Sequence, residues 1–188
     1  TIAKTTPLAQ VVLEMVVKHL PNPLQAQKYR IAKIWSGNLQ SDEGKSMIEC
    51  NPNGVFAMMV TDITVDPHAG DIATGRIYSG TVTPGMTVKL LGMQKDVRIQ
   101  KVGVFMGNEY LDVSKIGAGN VAALVGLKDT YAGETICTET IKPFESFMSN
   151  VEPVITVSIE AKHTKDLPKL ITVIRQLTKE DPNLRASI

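Results

Sequence analysis

Apolar positions follow two rhythms along this chain. Leu8, Val11, Val12, Met15, Val16 and Leu20 recur at the spacing of one helical face, after Thr6, a possible cap, and Pro7, suited to a first helical position. Pro21 and Pro23 then stop that helix. From Leu24 to Gly54 the pattern is mixed, with turns at Trp35-Ser36-Gly37 and Asn51-Pro52-Asn53-Gly54, and it reads as irregular chain wrapping a neighbour. From Val55 to about Thr140 the rhythm becomes that of strands. β-branched segments span Val55 to Val65, Ile72 to Val82, Thr87 to Leu91, Val97 to Phe105, Asn120 to Val125 and Thr135 to Thr138. Turns divide them at Asp66-Pro67, Pro84-Gly85, Met106-Gly107-Asn108, Gly117-Ala118-Gly119 and Ala132-Gly133. About six short strands at this rhythm predict a closed barrel, which leaves no edge free to aggregate.

The segment Ala73 to Leu91 is the most specific part of the pattern. Pro84 presets φ for the first central position of a β-turn and Gly85 supplies the positive φ of a type II second position, so two strands are expected around it. Gly75 and Gly80 interrupt the first of them and predict a bulge or a close backbone approach. After Phe144 the grammar changes. Val154 to Glu160 reads as a strand, Thr164 as a cap, and Leu167, Leu170, Ile171, Ile174 and Leu177 as a helical stripe. One strand and one helix do not complete a domain. The chain stops at Ile188, where a second strand should begin, so the expectation is disorder beyond about Asn150 or packing against a second molecule.

Composition changes this picture little. With 188 residues, 43% of them apolar, the chain can bury one moderate domain or two small ones, and a formal net charge of +1 confines any attraction for nucleic acid to a local patch. Cys50 and Cys137 lack metal-ligand spacing and read as reduced, structural thiols of an intracellular protein. No apolar run approaches a membrane span of about 20 residues, and no signal-peptide core is present, so no membrane partner is expected. A start at Thr1 rather than Met points to a processed chain or an excised fragment.

Candidate chemistry mostly dissolves on inspection. Gly44-Lys45-Ser46 ends like a phosphate loop, but Leu39 stands where the first Gly is required, so nucleotide binding is not expected. Gly117-Ala118-Gly119-Asn120-Val121-Ala122 fits the dinucleotide fingerprint in letters only, because a strand follows it instead of a helix. His19, His68 and His163 are dispersed, and no local signature joins Cys50 or Cys137 to His68 and Asp66. Glu180-Asp181 places two acids near a helix C-terminus, against the macrodipole, which indicates either solvation or a contact.

The wording Thr74-Gly75-Arg76-Ile77-Tyr78-Ser79-Gly80, followed by Pro84-Gly85, resembles the second domain of the large translational GTPases, most closely the elongation factor 2 family. The resemblance covers nearly the whole chain. Val11 to Pro23 is similar to the family's lead-in helix and linker; Asp66 to Gly70, Gly117 to Leu124 and Gly126 to Asp129 are similar to barrel turns. Glu152-Pro153-Val154 and Leu177 to Pro182 resemble the opening strand and helix end of its ferredoxin-like third domain. The fold implied is mainly β: a translation-factor-type β-barrel preceded by a helix and followed by a partial ferredoxin-like (α+β) unit. Residues 1–23 would be lead-in helix and linker, 24–145 the barrel, and 146–188 the first βα unit.

By resemblance the parent is a GTPase that moves tRNAs and messenger RNA on the ribosome, cytoplasmic, with GTP and magnesium held in a domain that precedes the barrel. This piece would be non-catalytic and without a cofactor of its own. Its barrel would dock on small-subunit ribosomal RNA, with Arg76, Lys89, Lys95, Arg98 and Lys101 as contacts chosen by charge and strand placement. Glu180, Asp181 and Pro182 would face the switch regions of the GTPase domain. Two alternatives stand beside this reading. One is the equivalent fragment of a paralogous GTPase of spliceosome assembly or ribosome maturation; the other is a freestanding enzyme with a Cys/His site, which thiol reactivity at Cys50 and Cys137 would reveal.

Overall fold

Ten strands are found among the described residues, eight of them in one antiparallel sheet that a long bent strand closes. The computed structural model describes residues 7–66, 69–128, 130–145, 154–181 and 183–187. Thr6, Pro67, His68, Asp129, Glu152, Pro153 and Pro182, all used in the sequence reading, lie outside the described residues. The strands are β1 (Ala57–Asp66), β2 (Gly70–Ser79), β3 (Thr81–Val82), β4 (Thr87–Leu90), β5 (Lys95–Arg98), β6 (Lys101–Met106), β7 (Glu109–Asp112), β8 (Ile116–Gly117), β9 (Val121–Val125) and β10 (Thr135–Cys137). They pair antiparallel in the order β5-β4-β10-β1-β2-β9-β6-β7, with β3-β8 as a separate pair. β5 and β6 are joined through Ile99, which exchanges bonds with Gly85 and Met86 at 2.8 and 2.9 Å, and Gln100, whose N–H reaches the Val125 carbonyl at 2.9 Å. A single strand therefore runs along both margins of the sheet and closes the barrel, as the unbroken apolar pattern from Val97 to Phe105 predicts.

The interior is filled by Met58, Ile63, Ile77, Leu90, Ile99, Leu124 and Ile136, drawn from strands all around the barrel. Each such burial contributes about 1.5–3 kcal/mol. Gly75 behaves as predicted: the register shifts between Val60 and Asp62, and a Cβ on Gly75 would collide with the Met59 carbonyl oxygen. Gly85 has φ +83°, and the Met86 N–H reaches the Thr83 carbonyl at 3.4 Å, closing the predicted turn. The flanking strands nevertheless do not pair with each other. β3 pairs with β8, and β4 with β5 and β10, so the turn is a corner between sheets. A type II turn splays its strands, whereas the primed turns match their twist.

The helices depart further from the sequence pattern. α1 (Leu8–His19) begins one residue after Pro7 and buries none of its residues. The expected irregular chain contains α2 (Pro23–Ile34) and α3 (Asp42–Ile48). Pro23 opens α2 instead of ending α1, because Asn22 and Gln25 form a reciprocal capping box in which Asn22 Oδ1 accepts from the Gln25 N–H at 2.9 Å. Ile31, Trp35 and Met47 build a second core with Met59, Tyr78, Cys137 and Phe144 on the outer face of the barrel. Trp35 Nε1 donates to the Lys142 carbonyl at 2.6 Å, and the Tyr78 and Phe144 rings lie 4.9 Å apart. These two helices are thus part of the barrel's fold.

Beyond the barrel, residues 155–160 form no strand, and Val154, Ile155, Val157 and Ile159 are exposed. β-propensity there has no partner ladder to act on. Thr164 opens a 3-10 turn (Thr164–Asp166), one turn ahead of α4 (Leu167–Glu180). Leu170, Ile171 and Ile174 are half-buried, and α4 packs against the end of β1 in its own barrel.

Candidate functional site

Pleating sorts the five cations named from the sequence. On β4, Val88 and Leu90 point into the core, so Lys89 points out. Its Nζ donates to Thr140 Oγ1 at 3.3 Å. Register puts Lys89 opposite Asp96 and Lys95 opposite Leu90, on alternate faces of the hairpin, and both lysines border an open cavity of about 430 Å³ together with Gln94, Thr140, Ile141 and Pro143. Arg98 is exposed, stands opposite Thr87, and donates from Nε to the Gly85 carbonyl at 3.0 Å, bracing the Pro84-Gly85 corner. Lys101 sits apart on β6 and pairs with Asp112 at 3.6 Å, which offsets its charge. Arg76 lies elsewhere again, on β2, with its guanidinium 6.0 Å from the centre of the Tyr78 ring. The structure brings Lys89, Lys95 and Arg98 together on one hairpin and leaves Lys101 and Arg76 outside that group.

The acids at the end of α4 are engaged with the barrel. Glu180 Oε1 accepts the Val65 N–H at 3.1 Å, and Gln176, one turn earlier, donates from Nε2 to the Val65 carbonyl at 3.4 Å. Gln176 also reaches Glu180 Oε1 at 3.4 Å. Two side chains on one helical face therefore occupy both backbone groups of a residue near the end of β1. An acid that opposes the helix dipole is compensated by this contact. Asp181 is exposed and accepts the Asn183 N–H at 2.9 Å.

The remaining motifs are occupied structurally. Gly44, Lys45 and Ser46 lie inside α3, where the Gly44 N–H donates to the Ser41 cap and Ser46 Oγ is 2.6 Å from Ser79 Oγ. Ala118 to Asn120 form the turn between β8 and β9, with Gly119 at φ +86°. Burial pushes both thiols up, Cys50 against a pull downward from Arg76 and Cys137 against the Ile141 backbone and Lys89. Thiols raised this way are poor nucleophiles. Among the described residues no three His, Cys, Asp or Glu side chains gather as metal ligands do.

Sequence reading missed one basic element. α2 carries Lys28, Arg30 and Lys33 with no acid, and Gln27 anchors it by donating to the Tyr78 carbonyl at 2.9 Å and to the Met47 carbonyl. The readable signal was Asn22-Pro23 followed by Gln25, a capping box.

Comparison with known proteins now bears on this geometry. A family model for elongation factor G domain 2 matches residues 55–139, the stretch that runs from β1 through β10. Over its whole length the chain is 52% identical to elongation factor 2 of Thermococcus kodakarensis, 53% to that of Methanosarcina thermophila and 49% to that of Methanopyrus kandleri. It covers 26%, 26% and 15% of those proteins. The chain thus spans about a quarter of the length of the curated relatives it matches first.

Proposed function

Because the chain belongs to the elongation factor 2 family, we propose that it is the ribosome-docking barrel of a translocase, a non-catalytic module of a cytoplasmic GTPase. The observation that carries this is identity near 50% across the whole chain, helices and barrel alike, to proteins named elongation factor 2. GTP and magnesium belong to the parent's nucleotide domain, and neither a spliceosomal or ribosome-maturation paralogue nor a Cys/His enzyme is favoured by the relatives.

In this reading 1–23 is lead-in helix and linker, 24–145 the barrel, and 146–188 the opening βα unit of a third, ferredoxin-like domain. Lys89, Lys95 and Arg98 present a cationic hairpin to small-subunit ribosomal RNA, with Arg76 and Lys101 on neighbouring strands. Glu180, Asp181 and Pro182 are assigned by the family resemblance to contact with the GTPase switch regions, and Glu180 additionally holds α4 on the barrel. Two measurements test the proposal together. Calorimetric titration with GTP and magnesium gives no micromolar binding, and the chain sediments with small ribosomal subunits at low salt. Micromolar GTP binding, or no association with subunits, overturns it.

A further inference from the structure

Arg30 on α2 and Arg76 on β2 flank the seam at which Gln27 holds the helix to the Tyr78 carbonyl. Gln27 fixes the helix there through the Tyr78 carbonyl, and Arg30 follows three positions later on the same flank of α2. From the sheet, the Arg76 guanidinium lies over the Tyr78 ring. A ring contact of this kind restrains a guanidinium without using its N–H edge. Burial pushes the Tyr78 hydroxyl up while Arg76 and Arg30 both pull it down, consistent with two positive charges near one phenol.

Among the described residues neither guanidinium takes part in an ion pair, unlike Lys18, which pairs with Glu14, and Lys101, which pairs with Asp112. Glu49, beside Cys50, and Glu145, whose N–H bonds the Ile34 carbonyl, belong to the same region of the fold and pair with neither arginine. Arg30 is exposed and Arg76 half-buried, so both are open to a partner, and Lys33 extends the charge along the Arg30 side of a helix without acids. Planar forks left unpaired, one of them restrained over a ring, match the oxygens of a phosphate better than they match water.

We propose that Arg30 and Arg76, with Lys33, form a docking site for the phosphodiester backbone of ribosomal RNA, separate from the β4–β5 hairpin. The site rests on the reading that the chain docks on the ribosome, and it adds α2 to the contact surface. Backbone recognition needs charge and position but no base readout, and this seam supplies both.

The test is binding of the full chain to small ribosomal subunits, and to the naked small-subunit RNA, as a function of salt. Arg30→Gln with Arg76→Gln should weaken binding to both about tenfold or more at low salt and reduce the salt slope by about one to two. Lys18→Gln, paired with Glu14 on α1 and outside both cationic groups, should change little, and Arg30→Lys with Arg76→Lys should recover part of the loss. Unchanged Trp35 fluorescence on melting reports an intact fold; if the double variant melts early, the exposed Arg30→Gln alone gives the reading. Full affinity in the Gln variants overturns the site while leaving the docking proposal standing. Failure of the unmodified chain to bind subunits overturns both. Loss on subunits with no change on naked RNA assigns the site to an acidic protein and overturns the RNA assignment.

Discussion

Burial first, and the charge of Asp112 second, push the Tyr110 hydroxyl up to about 12 from its usual value near 10. The ring packs edge-on against Phe105 at 5.7 Å, and the hydroxyl donates to the Ala123 carbonyl at 3.4 Å. A phenol whose folded value is raised stabilises the fold below pH 10, and that contribution is lost as pH rises from 10 through about 12. Ultraviolet titration should therefore show one tyrosine ionising well after an ordinary phenol. Tyr110→Phe should remove that late step and flatten stability between those pH values; a tyrosine profile unchanged by the substitution would refute the assignment. Glu180 shows how a residue's role was partly visible beforehand. An acid at a helix C-terminus signals a contact, but which contact depends on where β1 ends, and that is fixed by the bulge opposite Gly75, far away in sequence.

At the level of elements, legibility followed burial on one face. β1, β2, β4, β9 and β10 alternate or run apolar because the barrel core selects them, and their turns carry Gly and Pro at fixed offsets. β7 has no buried residue and β8 is two residues long, so neither leaves a pattern. α2 was illegible because only Ala26, Gln27 and Ile31 are buried in it, one of them polar, and its arginine and lysines were missed with it. The corner at Pro84-Gly85 offers a direct check. Gly85 sits at φ +83°, where a Cβ costs about 1–2 kcal/mol, so Gly85→Ala should lower stability by that amount in denaturant titration. A neutral substitution would mean the corner relaxes freely. The clasp between α4 and β1 predicts a local effect. Hydrogen bonds to charged groups contribute about 1.5–3 kcal/mol, so Glu180→Ala should speed exchange of the Val65 amide about tenfold or more, while the Val60 amide, bonded to the Glu134 carbonyl at 2.9 Å, stays protected. Equal change at both amides would indicate global loosening instead of a clasp.

On the scale of the whole molecule, a formal charge of +1 makes long-range attraction to RNA weak, so the RNA affinity proposed above would have to come from where the fold gathers its cations. It gathers them on the β4–β5 hairpin and on the seam of α2 with β2, both outside the apolar barrel interior. Closure through β5 and β6 makes that interior complete without further chain, whereas α1, residues 154–159 and half of α4 leave apolar surface that the barrel does not cover. The barrel is therefore a self-sufficient body with peripheral elements attached, and in the proposed function it is the part that docks. The central claim is that this body occupies the small subunit where a complete elongation factor 2 does. Displacement of the labelled chain from small ribosomal subunits by unlabelled full-length elongation factor 2 tests it most directly. Competition to full displacement, with binding that weakens steeply as salt rises, is the predicted result; a chain that stays bound under saturating factor would contradict it.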